Sequence, residues 1–169
     1  MNVLDVEVVK AVRAGVTPAF VRRVLERAAK IPEIAARLPD GTRMVAVRIT
    51  DDTEMERLNR TYAGEAHATD VLSFSGAGDQ LGDVAISWPA TIEQAKEWRH
   101  DEKTELAYLA VHGLLHLLGW DHRTPAEAAE MMRLTYAALR LSRLKPGRRS
   151  MARWSGYTPV RGLRRSPRA

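Results

Sequence analysis

The sequence predicts an α+β domain in which a small mixed sheet of about four strands packs against about five helices. Segments with the two-residue alternation of a strand lie in the first half of the chain, and segments with helical periodicity dominate the second half. The length of 169 residues is enough for one domain with a hydrophobic core.

The first predicted elements are two strands separated by a helix. Residues 2–9 alternate weakly and predict the first strand. Thr17 and Pro18 are the residue types that favour the N-cap and the first position of a helix. After a turn at 39–41, the alternation of apolar residues over 44–49 predicts the second strand.

The middle of the chain predicts one short helix and two short strands. The helix covers about 51–61, because two aspartates at its start can cap it. The strands cover 71–74 and 81–87, and a glycine-rich loop at 76–79 separates them.

The second half predicts three helices. The first covers 89–100, and the second covers about 101–118, where Gly119 can end it. The third covers about 124–144 and begins with Thr-Pro-Ala-Glu, a capping box with proline at the first helical position. Pro146 then stops the helical pattern.

Charge divides the chain near this proline. From Arg143 to the end there are nine basic residues and no acidic one, whereas the preceding 142 residues carry 17 basic and 21 acidic residues. We therefore predict a domain over 1–145 and a basic, flexible C-terminal extension over 146–169. Such an extension suits a polyanion such as RNA, because each phosphate contact releases counterions. A purely solubilising extension is the equally open alternative.

Composition excludes several classes of protein. No apolar stretch approaches the roughly 18–20 residues that span a bilayer, so we expect no membrane partner. The first residues lack the basic and apolar regions of a signal peptide, which favours a cytoplasmic protein. There is no cysteine, so a metal site would have to use His, Asp or Glu. The oligomeric state stays open.

Three of the five histidines, His112, His116 and His122, lie within eleven residues. Positions i and i+4 lie about 5–6 Å apart at Cβ on one helix face, so both imidazoles can reach one ion. Gly119 permits the change of direction that a third ligand requires. Three protein ligands leave the fourth position of Zn²⁺ open, as in catalytic sites. We predict one Zn²⁺ per chain on the central helix and the turn after it, although imidazole also suits Ni, Cu and Fe.

The spacing H-x-x-x-H-x-x-G-x-x-H is also that of the metzincin zinc proteases. Those proteases carry Glu as general base directly after the first histidine, where this chain has Gly113. A glycine side chain accepts no proton, which disfavours peptidase chemistry and leaves the catalytic residue unknown. Metal-bound water is then the favoured nucleophile.

The segment 112–122, HGLLHLLGWDH, resembles the signature of the YbeY family, H-G-x-L-H-L-x-G-[YW]-D-H. The resemblance covers about residues 40–140. Further blocks similar to family patterns lie at 58–62, 68–74, 81–87 and 94–95.

The resemblance implies a zinc-dependent, single-strand-specific endoribonuclease that acts in maturation of the 3′ end of 16S rRNA and in ribosome quality control. It also implies that His112, His116 and His122 bind the metal, and that rRNA and the small ribosomal subunit are partners. The alternatives are a non-catalytic ribosome-assembly factor with a structural zinc and, less favoured, a metalloprotease.

The chain departs from the family pattern at two positions. Ala63 follows Tyr62, where the family usually has an arginine that is a candidate phosphate contact. Thr135 stands where the last helix commonly carries a glutamate. The missing arginine strengthens the assembly-factor alternative.

Other residues are weaker candidates. Asp70 and Ser73 are polar members of an otherwise apolar segment, and we predict that they face the cleft and bind substrate. Asp121 is a candidate for orienting an imidazole, although a role in the turn is equally open. Tyr108, Trp120 and Trp98 could stack on bases, but aromatic residues beside leucines are more often part of the core.

Overall fold

The computed structural model describes residues 2–63 and 69–147. This part of the chain contains four strands and six helices. The strands are β1 (Val3–Lys10), β2 (Thr42–Thr50), β3 (Val71–Ser75) and β4 (Gln80–Ser87). The helices are α1 (Pro18–Ala28), α2 (Pro32–Ala35), α3 (Asp52–Ala63), α4 (Trp88–Trp98), α5 (Glu102–Leu117) and α6 (Pro125–Leu141).

The four strands form one mixed sheet in the order β1-β2-β4-β3. The pairs β1–β2 and β2–β4 are parallel, so helices connect them. Strand β3 pairs antiparallel with β4 and follows it at the edge of the sheet. The predicted α+β class with a mixed sheet is confirmed.

The hydrophobic core lies between one face of the sheet and helices α1, α5 and α6. The alternating residues Val45, Val47 and Ile49 of β2 point into it. Helix α5 is buried at every position from Thr104 to Leu115, as expected of a helix that crosses the middle of a core. A smaller cluster of Met55, Leu72 and Ala85 lies where α3 covers the opposite face of the sheet. The helix that carries two of the histidines is therefore the central helix of the domain.

Side-chain caps begin the helices where the sequence predicts them. The Oγ1 atom of Thr17 accepts the N–H of Phe20 at 3.1 Å, which caps α1. The Oγ1 atom of Thr124 accepts the N–H of Glu127 at 3.2 Å, which caps α6. The carboxylate of Glu127 reaches the N–H of Arg123 at 3.4 Å and not that of Thr124, so only half of the predicted capping box forms.

Two features of the helices differ from the prediction: one helix was not predicted, and another ends earlier than expected. Helix α2 has four residues, too few to give a periodic signal in the sequence. Helix α6 ends at Leu141 and not near Leu144, because Arg143 adopts a left-handed conformation with φ of 58°. The N–H of Leu144 then bonds the carbonyl of Leu139 at 3.0 Å, which closes the helix in a Schellman arrangement.

The predicted division between 145 and 146 stays a prediction, because 148–169 lie outside the described residues, as do 64–68. Gly147 is in contact with the domain: its N–H donates to Nδ1 of His100 at 3.0 Å. A Cβ atom at Gly147 would lie 1.8 Å from the carbonyl oxygen of Trp98. In the described part of the chain, no helix combines the length and apolarity needed to cross a bilayer.

Candidate metal centre

Two of the three histidines lie on the last turns of α5, and the third follows the end of that helix. Gly119 has a φ of 97°, as predicted from its place after the helix. Its N–H bonds the carbonyl of His116 at 3.0 Å, and the N–H of Trp120 bonds that of Leu115 at 3.0 Å. This glycine-dependent helix end turns the chain back, so that His122 faces the two histidines of the helix.

The imidazoles of His112, His116 and His122 converge. The ring centroids lie 4.5 Å apart for 112–116, 4.9 Å for 116–122 and 5.4 Å for 112–122. One nitrogen of each ring lies within 4.8 Å of the other two, and the Nε2 atoms of His112 and His116 are 2.9 Å apart. Nitrogens that share a tetrahedral Zn²⁺ at about 2.0–2.1 Å are about 3.3–3.4 Å apart. The group therefore has the donor atoms and the spacing to hold one metal ion.

The electrostatic environment keeps two of these imidazoles, those of His116 and His122, in the form that binds metals. Burial, and then the neighbouring His122, lowers the pKa of His116 to about 4. Burial also lowers the pKa of His122, while the carboxylates of Asp121 and Asp70 act in the opposite direction. Both side chains are therefore neutral at neutral pH, which is the form in which imidazole binds a metal ion.

Gly113 lies on the face of α5 that contacts the sheet. A Cβ atom there would lie 2.5 Å from Cγ1 of Val84 and 3.2 Å from Oγ of Ser73. A side chain at this position would push the helix away from β3 and β4. The place where metzincins carry their general base is thus a helix–sheet contact in this chain.

Ser73 belongs to the same contact. Its side chain is buried, and its hydroxyl donates to the carbonyl of Gly113 at 3.0 Å. The bond ties β3 to the helix one residue after His112. The structure thus gives Ser73 a positioning role that its sequence context did not indicate, and its substrate contact stays a prediction.

Asp70 lies at the start of β3, close enough to His122 to influence its pKa. One carboxylate oxygen accepts a hydrogen bond from the N–H of Val71 at 2.8 Å, and the other accepts one from Nε2 of Gln94 at 3.2 Å. Gln94 lies on α4, and no periodic pattern in the sequence indicates that it lies beside Asp70. The only feature of the sequence that singles out Gln94 is the Gln-Ala pair at 94–95, which is one of the segments that resemble the family patterns.

Asp121 stabilises the turn between the helix and the third histidine. Its Oδ1 atom accepts the backbone N–H of His122 at 2.7 Å, and its Oδ2 atom pairs with Nε of Arg123 at 2.8 Å. These contacts favour the turn role over direct orientation of an imidazole, and the latter stays a prediction.

Two of the three aromatic candidates are part of the core, and the third, Trp98, is half-buried. Tyr108 and Trp120 are buried, so neither presents a face on which a base could stack. The guanidinium of Arg37 covers the ring of Trp120 at 3.7 Å from its centroid. The large exposed aromatic side chain among the described residues is Tyr62, which contacts Phe74 with ring centroids 5.1 Å apart.

Comparison with known proteins places this fold and site in a family. Residues 10–142 match the family model described as Endoribonuclease YbeY. The chain is 40% identical over 141 residues to an Endoribonuclease YbeY of Roseiflexus sp. strain RS-1, which covers 76% of this chain and 85% of that relative. It is 48% identical over 121 residues to an Endoribonuclease YbeY of Chloroflexus aurantiacus, which covers 64% of this chain and 78% of the relative.

A solved structure has a similar fold. The solution structure of TM1509 from Thermotoga maritima superposes with a TM-score of 0.57 at 20% identity, over 92% of this chain and 99% of that protein. At this identity the likeness concerns the fold alone, whereas the family model and the sequence relatives cover most of the chain. The family model and these relatives show that the chain belongs to the YbeY endoribonuclease family.

Proposed function

We propose that this chain is a zinc-dependent endoribonuclease that cuts single-stranded RNA. The observation that carries the proposal is the convergence of His112, His116 and His122, with their nitrogens within 4.8 Å of one another, in a member of the YbeY family. Three imidazoles leave one position of a tetrahedral ion open, which suits catalysis better than a closed structural site.

The residues around the histidines have separable tasks in this proposal. His112, His116 and His122 hold one Zn²⁺, which when bound supplies Lewis-acid chemistry and lowers the pKa of water toward about 7. Asp70 is the proposed substrate-binding carboxylate, because its oxygens lie beside the cluster and can accept a hydrogen bond from a ribose 2′-hydroxyl. Asp121 and Ser73 hold the turn and the helix that position the ligands.

Peptidase chemistry fits this site poorly. The position of the protease general base is Gly113, which packs on Val84 without space for a side chain. We infer that no side chain directly after the first ligand takes part in catalysis. The proton acceptor must come from water, from the substrate phosphate or from another polar group.

We further propose that the substrate is 16S rRNA near its 3′ end, that the small ribosomal subunit is the partner, and that the protein works in the cytoplasm. Two features support the proposal. The first is the resemblance of 112–122 to the family signature, and the second is the run of nine cations without an anion after Ser142.

A non-catalytic assembly factor is the second candidate, and Ala63 is the observation that favours it. The family usually has arginine there, and a cation at that place could contact a phosphate. Without it, binding of rRNA could persist while cleavage is lost.

Cleavage of a single-stranded rRNA fragment by purified protein distinguishes these candidates. We expect endonucleolytic products that disappear with chelator, return with Zn²⁺ and are absent from His116→Ala. Binding of the fragment without cleavage under every metal condition would leave the assembly factor. Cleavage that resists both chelator and His116→Ala would reject the histidine site.

A further inference from the structure

A second feature of the molecule lies far from the histidines. An open groove of about 600 Å³ runs between the end of α1, the start of α2 and the end of α6. Three basic residues, Arg27, Lys30 and Arg140, line it. Its floor is apolar and includes Ile31 and Leu141, and Leu141 is 49% exposed.

The three cations of this groove are available for a ligand. Among the residues that the structure describes, none of them forms an ion pair with a carboxylate, and Arg27 makes only a long contact of 3.5 Å with the hydroxyl of Ser142. The neighbouring Glu33 contacts Arg133, 3.7 Å away. Residues 1–142 carry more acidic than basic side chains, so this concentration of unpaired cations stands out from the rest of the domain.

The C-terminal ends of α1 and α6 explain only part of this arrangement. Basic side chains near a helix C-terminus interact favourably with its dipole. That interaction gives no reason to leave an apolar floor such as Leu141 open between the cations. A positively charged groove that follows the phosphate backbone is instead typical of sites that bind single-stranded nucleic acid. The described residues that line this groove include no aromatic one, so its expected contacts are with phosphates.

The groove and the histidine centre lie at opposite ends of α6. That helix begins three residues after His122 and ends at Leu141, and its 17 residues span about 24 Å at 1.5 Å per residue. At about 3.4 Å per stacked nucleotide, a strand of about seven nucleotides covers this distance. One strand could therefore occupy both places.

We propose that this groove binds the phosphate backbone of a single-stranded RNA whose other part lies at the histidine centre. The inference rests on the proposed function, because it makes the groove a second contact for the same substrate. Charge selects this occupant: 148–169 of this chain carry seven basic residues and no acidic one, so neither the chain's own extension nor that of a second copy complements the groove.

The test removes the three charges together in Arg27→Gln/Lys30→Gln/Arg140→Gln and measures RNA binding by the zinc-loaded protein. Titrations on ice at several salt concentrations give the affinity and its salt dependence, and a gel checks that the strand stays intact. For a strand of about 20 nucleotides we expect binding at least about tenfold weaker and a salt slope smaller by about 2, at about 0.7 per lost contact. A strand of about four nucleotides cannot reach both places, so its cleavage rate should not change.

A matched control removes three exposed charges elsewhere, in Lys10→Gln/Arg13→Gln/Lys96→Gln. The control has the same net charge as the groove variant, so it separates a local site from general attraction. Equal losses of affinity in both variants, or no loss in either, would overturn the proposal. If the groove variant melts at a much lower temperature than the control, Leu141→Glu serves instead, because it places a negative charge on an exposed helical position and should weaken long-strand binding in the same way.

Two further outcomes separate this inference from others. If the groove variant loses binding to polyglutamate and keeps its affinity for RNA, the partner is an acidic protein and the RNA assignment is wrong. If the wild type cleaves neither strand but the groove variant still binds the long strand more weakly, the proposed nuclease function fails while the groove remains an RNA site.

Discussion

Gly113 lies within α5 and Gly119 lies just after its end, and the two glycines have different roles. Gly119 is required for its positive φ, which a residue with a side chain adopts only with strain. Gly113 is required for space, because Val84 occupies the place of its Cβ atom. The first role could be predicted from the helix end. The second could not, since it depends on a contact with a strand 29 residues earlier in the sequence.

The contact of Gly113 predicts that Gly113→Ala destabilises the fold although alanine favours helices. The added methyl group would lie 2.5 Å from Val84, and overpacking of this kind costs about 1–3 kcal/mol. Urea denaturation measures the change. Gly15→Ala is the matched control, because a Cβ atom there would meet nothing within 4 Å. A Gly113→Ala protein as stable as the wild type would show that helix and sheet are not in such close contact.

The convergence of the three histidines was predictable from the sequence alone, whereas their surroundings were not. The i, i+4 spacing and the following glycine restrict the geometry locally. The bonds of Asp70 to Gln94 and of Ser73 to Gly113 join segments 24 and 40 residues apart, and no periodic pattern reports them.

Ser87 connects three secondary-structure elements, which are β4, α3 and α4. It ends β4, its Oγ atom accepts the N–H of Ala90 to cap α4, and its hydroxyl donates to Asp52 at the start of α3 at 2.6 Å. Helix α4 in turn carries Gln94, which holds Asp70 beside the histidines. The alignment of this side of the site therefore depends on one buried hydroxyl.

We expect Ser87→Ala to lower the free energy of unfolding by about 1–2 kcal/mol, because the cap is lost and Asp52 loses a hydrogen bond. Thermal and urea denaturation test this value. Ser142→Ala is a suitable control, since that serine ends α6 without a buried bond and its replacement should change stability far less. Equal effects of the two substitutions would argue against the joining role of Ser87.

The elements themselves were largely predictable, because each of the four strands has its own apolar alternation or run and three helices begin at recognisable caps. Helix α2 was missed because four residues give no period. The end of α6 was placed too late, since the left-handed Arg143 is not a glycine and gave no stop signal. The strand order β1-β2-β4-β3 could not be predicted from the sequence either, because strand pairing depends on contacts between distant segments.

At the scale of the whole molecule, the boundary between the domain and its basic extension is the open question. The sequence places it at Pro146, but the N–H of Gly147 bonds His100, whose side chain is buried against Glu105 with a distance of 2.6 Å between Nε2 and Oε2. Chains that end after Lys145 and after Gly147 should therefore differ in thermal stability.

We predict that a chain ending after Gly147 keeps the thermal stability of the full chain. A chain ending after Lys145 should lose about 1–3 kcal/mol of its free energy of unfolding, because a buried acceptor on His100 loses its donor.

Both truncated chains should bind RNA more weakly and with a shallower salt dependence than the full chain, since seven cations are removed with 148–169. Unchanged affinity and slope would refute the RNA-binding role of the extension. A large loss of stability on ending after Gly147 would make Trp154, Tyr157 or Val160, which lie outside the described residues, candidates for packing on the domain.

The proposed function depends on one metal ion held by three histidines. Its most direct test is the metal content of purified protein, measured for the wild type, His112→Ala, His116→Ala and His122→Ala, with His100→Gln as the control, because His100 contacts Glu105 and is not part of the cluster. We predict about one Zn²⁺ per chain in the wild type and the control, and strongly reduced content in each of the three variants. Equal metal content in all five proteins, or none in the wild type after purification and exposure to Zn²⁺, would contradict the account.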